Sequence, residues 1–207
     1  MRIPIEFLCG DVYSPVEMRT LRAGGDRIQA TVAITGMEGR APATAGTLMS
    51  PRMAVVNLRA TSKPQLLVEL AALAMPFVNI DHMKILRALL DREAAASTGL
   101  GMGVAMPCIR FRALRRPFAL FSRLGRPIDY QALDGRPVDL VLLLLGPEPA
   151  SEYYSDVLVS ACRALRDHDI RDRLRADGDP QSIFAALGRG NLKQAGLQSS
   201  ALPLRRP

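Results

Sequence analysis

The 207-residue chain is 48% hydrophobic and 23% charged, which is ample for one buried core, so a single globular domain with flexible ends is expected. Its net charge of +7 invites a nucleic-acid reading, yet residues 1–47 carry five basic and five acidic groups and residues 48–188 carry eighteen and fifteen. Residues 189–207 carry four basic groups and no acidic one, so more than half of the excess sits in a short tail holding Arg189, Lys193, Arg205 and Arg206.

Such a tail reads first as a solvated chain end. With no tryptophan, four tyrosines and six phenylalanines, little suggests a surface for stacking bases, and no nucleic-acid partner is expected. Cys9, Cys108 and Cys162 are odd in number and lack CxxC spacing, which argues against a disulfide framework and a zinc site and fits a reducing cytoplasm. No run reaches the roughly 18 apolar residues of a membrane span, and Val138–Leu145 is broken by Asp139. Met1–Glu6 also lacks the apolar run of a secretory signal.

Residues 1–48 hold short apolar pieces interrupted by Gly24-Gly25, Gly36 and Gly39. Two readings stand: a weakly ordered extension, or an artefact of a natural start at Met49 or Met53. Regular patterning begins at Ser62, followed by Gln65 and by Leu66, Leu67, Leu70, Leu73 and Ala74 at helical spacing. A capping serine and glutamine that satisfy free amides reciprocally, with Pro64 in the first turn, predict a helix over residues 63–75. Asp81 predicts the cap of a second helix that buries Ile85, Leu86, Leu89 and Leu90, turns Lys84, Arg87 and Arg92 outward, and stops near Ala96.

Gly99, Gly101 and Gly103 on alternate positions predict a loop over residues 97–103. It follows a helix rather than a strand and contains no GxxxxGK[ST], so a nucleotide loop is disfavoured. Residues 104–106, 118–124 and 138–145 predict strands, the last covered on both faces because its leucines do not alternate with polar residues. Residues 154–166, 170–175 and 180–187 predict helices. His82 falls in a first helical turn and His168 just past a helix end, both at the surface. The element order gives an α/β sandwich, a mixed sheet flanked by helices, over residues 49–188, with residues 189–207 as a flexible basic tail.

The run Leu90–Pro107, reading LDREAAASTGLGMGVAMP, resembles the signature of type-2 phosphotransferase-system IIA domains of the nitrogen-regulatory and fructose/mannitol kind. The likeness extends through Val56–Lys63, Gly125–Tyr130, Ala132–Leu140 and Arg163–Asp167, about two thirds of the chain. It implies a cytoplasmic phosphoryl relay in which a histidine phosphocarrier protein passes its phosphoryl group to the histidine after the proline, without a cofactor or metal. By position, Arg92 matches the arginine that stabilises the transferring oxygens, and Thr98, Gly99, Gly101 and Gly103 match the phosphate-binding loop.

The departure falls at the nucleophile: Cys108 stands where the family has its phosphorylated histidine, Ile109 where it has glycine, and Tyr154 where many members have a second histidine. A thiol near its reference pKa of about 8.5 stays mostly protonated without a nearby cation, and Arg92 is the candidate. The shorter side chain also sets sulfur back from an incoming phosphoryl group. The leading expectation is a catalytically degenerate regulatory module that binds partners such as transporter or kinase components. The alternatives are a phosphocarrier that uses Cys108 and, from another class, a nucleic-acid-binding protein.

Overall fold

The computed structural model describes Leu48, residues 53–176 and residues 178–188. The expected extension over residues 1–48, Leu48 apart, and the expected tail over residues 189–207 lie outside the described residues. Strand β1 (Ala54–Leu58) leads to helices α1 (Lys63–Val78) and α2 (His82–Ala95). Strands β2 (Gly99–Gly101), β3 (Val104–Ala105), β4 (Cys108–Phe111), β5 (Phe118–Ile128) and β6 (Val138–Pro147) follow, then helices α3 (Glu152–Arg166), α4 (His168–Ala176) and α5 (Pro180–Gly188).

The six strands form one mixed sheet in the order β1-β5-β6-β3-β2, with β4 beside β6. Strand β5 runs antiparallel to β6, β1 runs parallel to β5, and both β3 and β4 run parallel to β6. The expected α/β arrangement of a mixed sheet flanked by helices is therefore present.

The leucine run of β6 is buried from Leu140 through Leu145 because both of its faces are covered. Val141, Leu143 and Leu145 join Leu66, Leu70, Ile85 and Leu89 of α1 and α2 in one core cluster. Leu142 and Leu144 alternate with them and turn to the opposite face, where the ring of Tyr154 in α3 lies against Gly146. Each leucine removed from water in this way contributes roughly 1.5–3 kcal/mol.

Several boundaries differ from the sequence reading. Helix α1 continues through Pro76 to Val78 and ends at Asn79, whose φ of 49° reverses the chain. Ser62 Oγ accepts from the Gln65 amide at 3.4 Å, but Gln65 Oε1 reaches back to Thr61, 3.0 Å from its amide and 2.9 Å from its hydroxyl. In α2 only Ile85 and Leu89 are buried, whereas Leu90, expected inside, is 43% exposed.

The expected loop over residues 97–103 is instead a tight hairpin of β2 and β3, turned by positive φ at Gly101, Met102 and Gly103. Strands β1 and β4 were not anticipated, and β5 runs past Leu124 to Ile128. His168 lies just past the end of α3, as expected, and also opens α4, with Nδ1 3.1 Å from Asp172 Oδ2 one turn on.

A Cβ at position 146 would lie 2.5 Å from the Tyr154 ring, so that residue is fixed as glycine by packing. Gly146→Ala is expected to lower stability by about 1–3 kcal/mol through overpacking, read as a lower urea midpoint at unchanged slope.

Candidate functional site

Strand β4 begins at the position of interest. Cys108 is 7% exposed, and its thiol donates to the Met106 carbonyl at 3.3 Å. In the parallel pairing of β4 with β6, Cys108 lies beside Leu144 and Arg110 beside Gly146. Residues in register share a face, and positions 144 and 146 are two apart, so Cys108 and the Tyr154 ring over Gly146 occupy the same side of the sheet. The two positions singled out by the resemblance thus share one side of the sheet, one holding a thiol and the other a phenol that is 1% exposed.

Beneath the hairpin lies a polar cluster that sequence reasoning missed. Glu93, with 5% of its side chain exposed, accepts from the Thr98 amide at 3.2 Å to each oxygen and from the Tyr130 hydroxyl at 2.8 Å. The Thr98 hydroxyl also donates to Glu93 and lies 3.0 Å from the Tyr130 hydroxyl. Lys63 Nζ completes the cluster, 2.7 Å from Glu93 Oε2 and 4.6 Å from the centre of the Tyr130 ring. Burial first, and then the charge of Glu93, hold the Tyr130 hydroxyl far above the ordinary tyrosine range, so it remains a donor. The available signal in the sequence was Glu93 next to Arg92, a carboxylate on the inward side of a helix end.

The loop residues expected to hold phosphate are turned to internal work. Amides that could meet an anion are occupied: Thr98 donates to Glu93, Gly99 to Ser97 Oγ at 3.3 Å, and Met102 to Asp134 Oδ2 at 2.7 Å. A Cβ on Gly99 would lie 2.7 Å from that of Ala132, and one on Gly101 would lie 2.9 Å from Asp134 Oδ2. Gly103 is closed in by Asp139 and Arg175, whose guanidinium donates to Asp139 at 2.7 and 2.8 Å and to the Met102 carbonyl at 3.0 Å.

Arg92 Nη1 donates to the Ala96 carbonyl at 2.8 Å and so fastens the end of α2. Among the described residues no group of three His, Cys, Asp or Glu could hold a metal ion, and no helix is long and apolar enough to cross a membrane.

Residues 47–189 match the family model described as the phosphoenolpyruvate-dependent sugar phosphotransferase system, EIIA 2. The chain is similar to the nitrogen regulatory protein of Bradyrhizobium diazoefficiens, 42% identical over 140 residues that cover 68% of this chain and 92% of that one. It is also similar to the nitrogen regulatory protein of Pseudomonas aeruginosa, at 35% identity over 138 residues covering 66% and 90%. Among solved structures, the nitrogen regulatory protein IIA-Ntr of Neisseria meningitidis superposes with a TM-score of 0.66 at 30% identity, covering 69% of this chain and 97% of that one.

The cluster has two testable consequences. Glu93→Gln leaves the Lys63 ammonium without its counter-charge in a nearly dry site and is expected to cost about 3–5 kcal/mol, measured by urea unfolding. Asp134 has its pKa held below the ordinary carboxylate range, first by the Met102 amide and further by the Arg136 amide and charge. A depressed carboxylate stabilises above its unfolded pKa and loses that contribution as pH falls through the folded value. Protection of the Met102 amide against hydrogen exchange is therefore expected to fall only at pH below the ordinary carboxylate range, and Asp134→Ala to remove it at neutral pH.

Proposed function

Because the chain belongs to the EIIA 2 family of the phosphoenolpyruvate-dependent sugar phosphotransferase system, we propose that it is a regulatory IIA module, over residues 49–188, that binds partner proteins and is not switched by phosphorylation at the usual site. The observation that carries this reading is the state of position 108. A phosphoryl acceptor must present a nucleophilic atom to a donor protein, and Cys108 presents a nearly buried thiol whose proton is directed to the Met106 carbonyl.

Three further features support the reading. The Thr98, Gly99 and Met102 amides already serve internal acceptors, so they are not poised for the oxygens of a transferring group. Arg92 is engaged with the Ala96 carbonyl. On the same side of the sheet as Cys108, Tyr154 holds a phenol where the resemblance expects an imidazole.

With chemistry withdrawn, what remains is a rigid surface of the nitrogen-regulatory type. Its partners are proposed to be cytoplasmic transporter or kinase components, with a histidine phosphocarrier protein as the donor it meets without accepting a phosphoryl group.

The test is intact-mass spectrometry after incubation with phosphoenolpyruvate, the first enzyme of the system and the histidine phosphocarrier protein, beside a histidine-containing relative as control. The relative is expected to gain about 80 Da, the mass of one phosphoryl group, and this chain nothing. A gain that is lost in Cys108→Ser and on iodine treatment would instead establish a cysteine-based phosphocarrier.

A further inference from the structure

The turn that leaves β4 carries Arg110, Arg112, Arg115 and Arg116 within seven residues, directly downstream of Cys108. Arg112, Arg115 and Arg116 are exposed and Arg110 is half-buried. Among the described residues, the ion pair made by this cluster is Arg112 with Glu148 at 3.8 Å, in which 88% of the arginine side chain is exposed. Residues 48–188 hold eighteen basic and fifteen acidic groups; setting aside these four arginines and Glu148 leaves fourteen of each. The charge excess of the domain is therefore local to this turn.

The turn is also built to hold its shape. Leu114 is buried at its centre, its amide donates to the Phe111 carbonyl at 3.1 Å, and the same carbonyl accepts from the Glu148 amide at 3.2 Å. Pro117 then leads into β5, where Phe118 stacks on Phe77 with ring centres 5.7 Å apart. Phe77 is 43% exposed, so its ring is an open aromatic plate stacked on a residue two positions past Arg116.

We propose that the Arg110–Arg116 turn and the Phe77 ring form a docking surface for an acidic protein segment that carries an apolar side chain. Charge complementarity selects the carboxylates, since an arginine fork accepts a carboxylate in two parallel hydrogen bonds. The aromatic plate selects the apolar residue, and aromatics beside arginine are the composition typical of binding hot spots. A nucleic acid fits less well. It needs a basic track long enough to follow a backbone, and the remainder of residues 48–188 is balanced in charge. The surface rests on the reading above, as the contact face of that module.

The experiment is fluorescence anisotropy on the full chain with a labelled twelve-residue peptide of alternating glutamate and leucine, beside a labelled single-stranded DNA twelve-mer. The peptide is expected to bind wild type in a salt-dependent way and to bind Arg112→Glu/Arg115→Glu/Arg116→Glu about tenfold more weakly. Phe77→Ala is expected to weaken it as well, and Arg205→Glu/Arg206→Glu to leave it unchanged. Thermal melts check folding, and Arg115→Gln/Arg116→Gln serves if the charge reversal does not fold.

Equal affinity for wild type and the turn variant, loss in the tail variant alone, or no peptide binding would overturn the surface. Tighter binding of the DNA through the same arginines would overturn the assignment of partner. None of these readouts involves phosphorylation, so a mass gain at Cys108 would remove the regulatory reading while leaving this surface to its own result.

Discussion

The carboxylate of Glu93 is the point on which the hairpin and the sheet edge depend. It is almost out of water, where an uncompensated charge costs several kcal/mol, roughly. Its partners come from three places: Lys63 at the start of α1, the amide and hydroxyl of Thr98 at the entry to β2, and Tyr130 after β5. One group thus ties the first turn of α1 to the end of α2 and to the hairpin that precedes Cys108. Because Thr98 also accepts from the Met106 amide through its carbonyl at 3.0 Å, the tie extends to the residues that deliver β4.

This arrangement accounts for the glycines of the hairpin without reference to any bound anion. Gly99, Gly101 and Gly103 lie close against Ala132, Asp134 and the Asp139 and Arg175 pair, and two of them need positive φ. Larger residues there would disturb packing whether or not an anion is ever bound. The glycines and Thr98 are thus engaged by the fold itself.

Features of the sequence that act locally were legible in it. The caps at Ser62 and Asp81 placed the starts of α1 and α2, and the unbroken leucines of β6 announced a strand covered on both faces. What was not legible depended on partners distant in sequence. Strand β4 has four residues behind Pro107, too few to display a period, and it exists because β6 offers it a ladder. Leu90 fits the helical stripe of α2, yet the core reaches only Ile85 and Leu89 and leaves it exposed. Glu93 and Tyr130 are thirty-seven residues apart, and no spacing rule joins them. The arginines were in plain view, but their weight emerged only once the turn was placed at the surface and the rest of the domain was found balanced.

Position 108 and the arginine turn share one strand, which constrains how they can act. At about 3.3 Å per residue, Arg112, one residue past the end of β4, stands roughly 13 Å from Cys108. A protein seated on the turn would cover ground of about that radius, since even small specific interfaces span around 800 Å² on each partner. A protein docked on the proposed surface would therefore also lie over Cys108, whose buried thiol is hydrogen-bonded to its own chain, and its binding is expected to depend on partner concentration and salt.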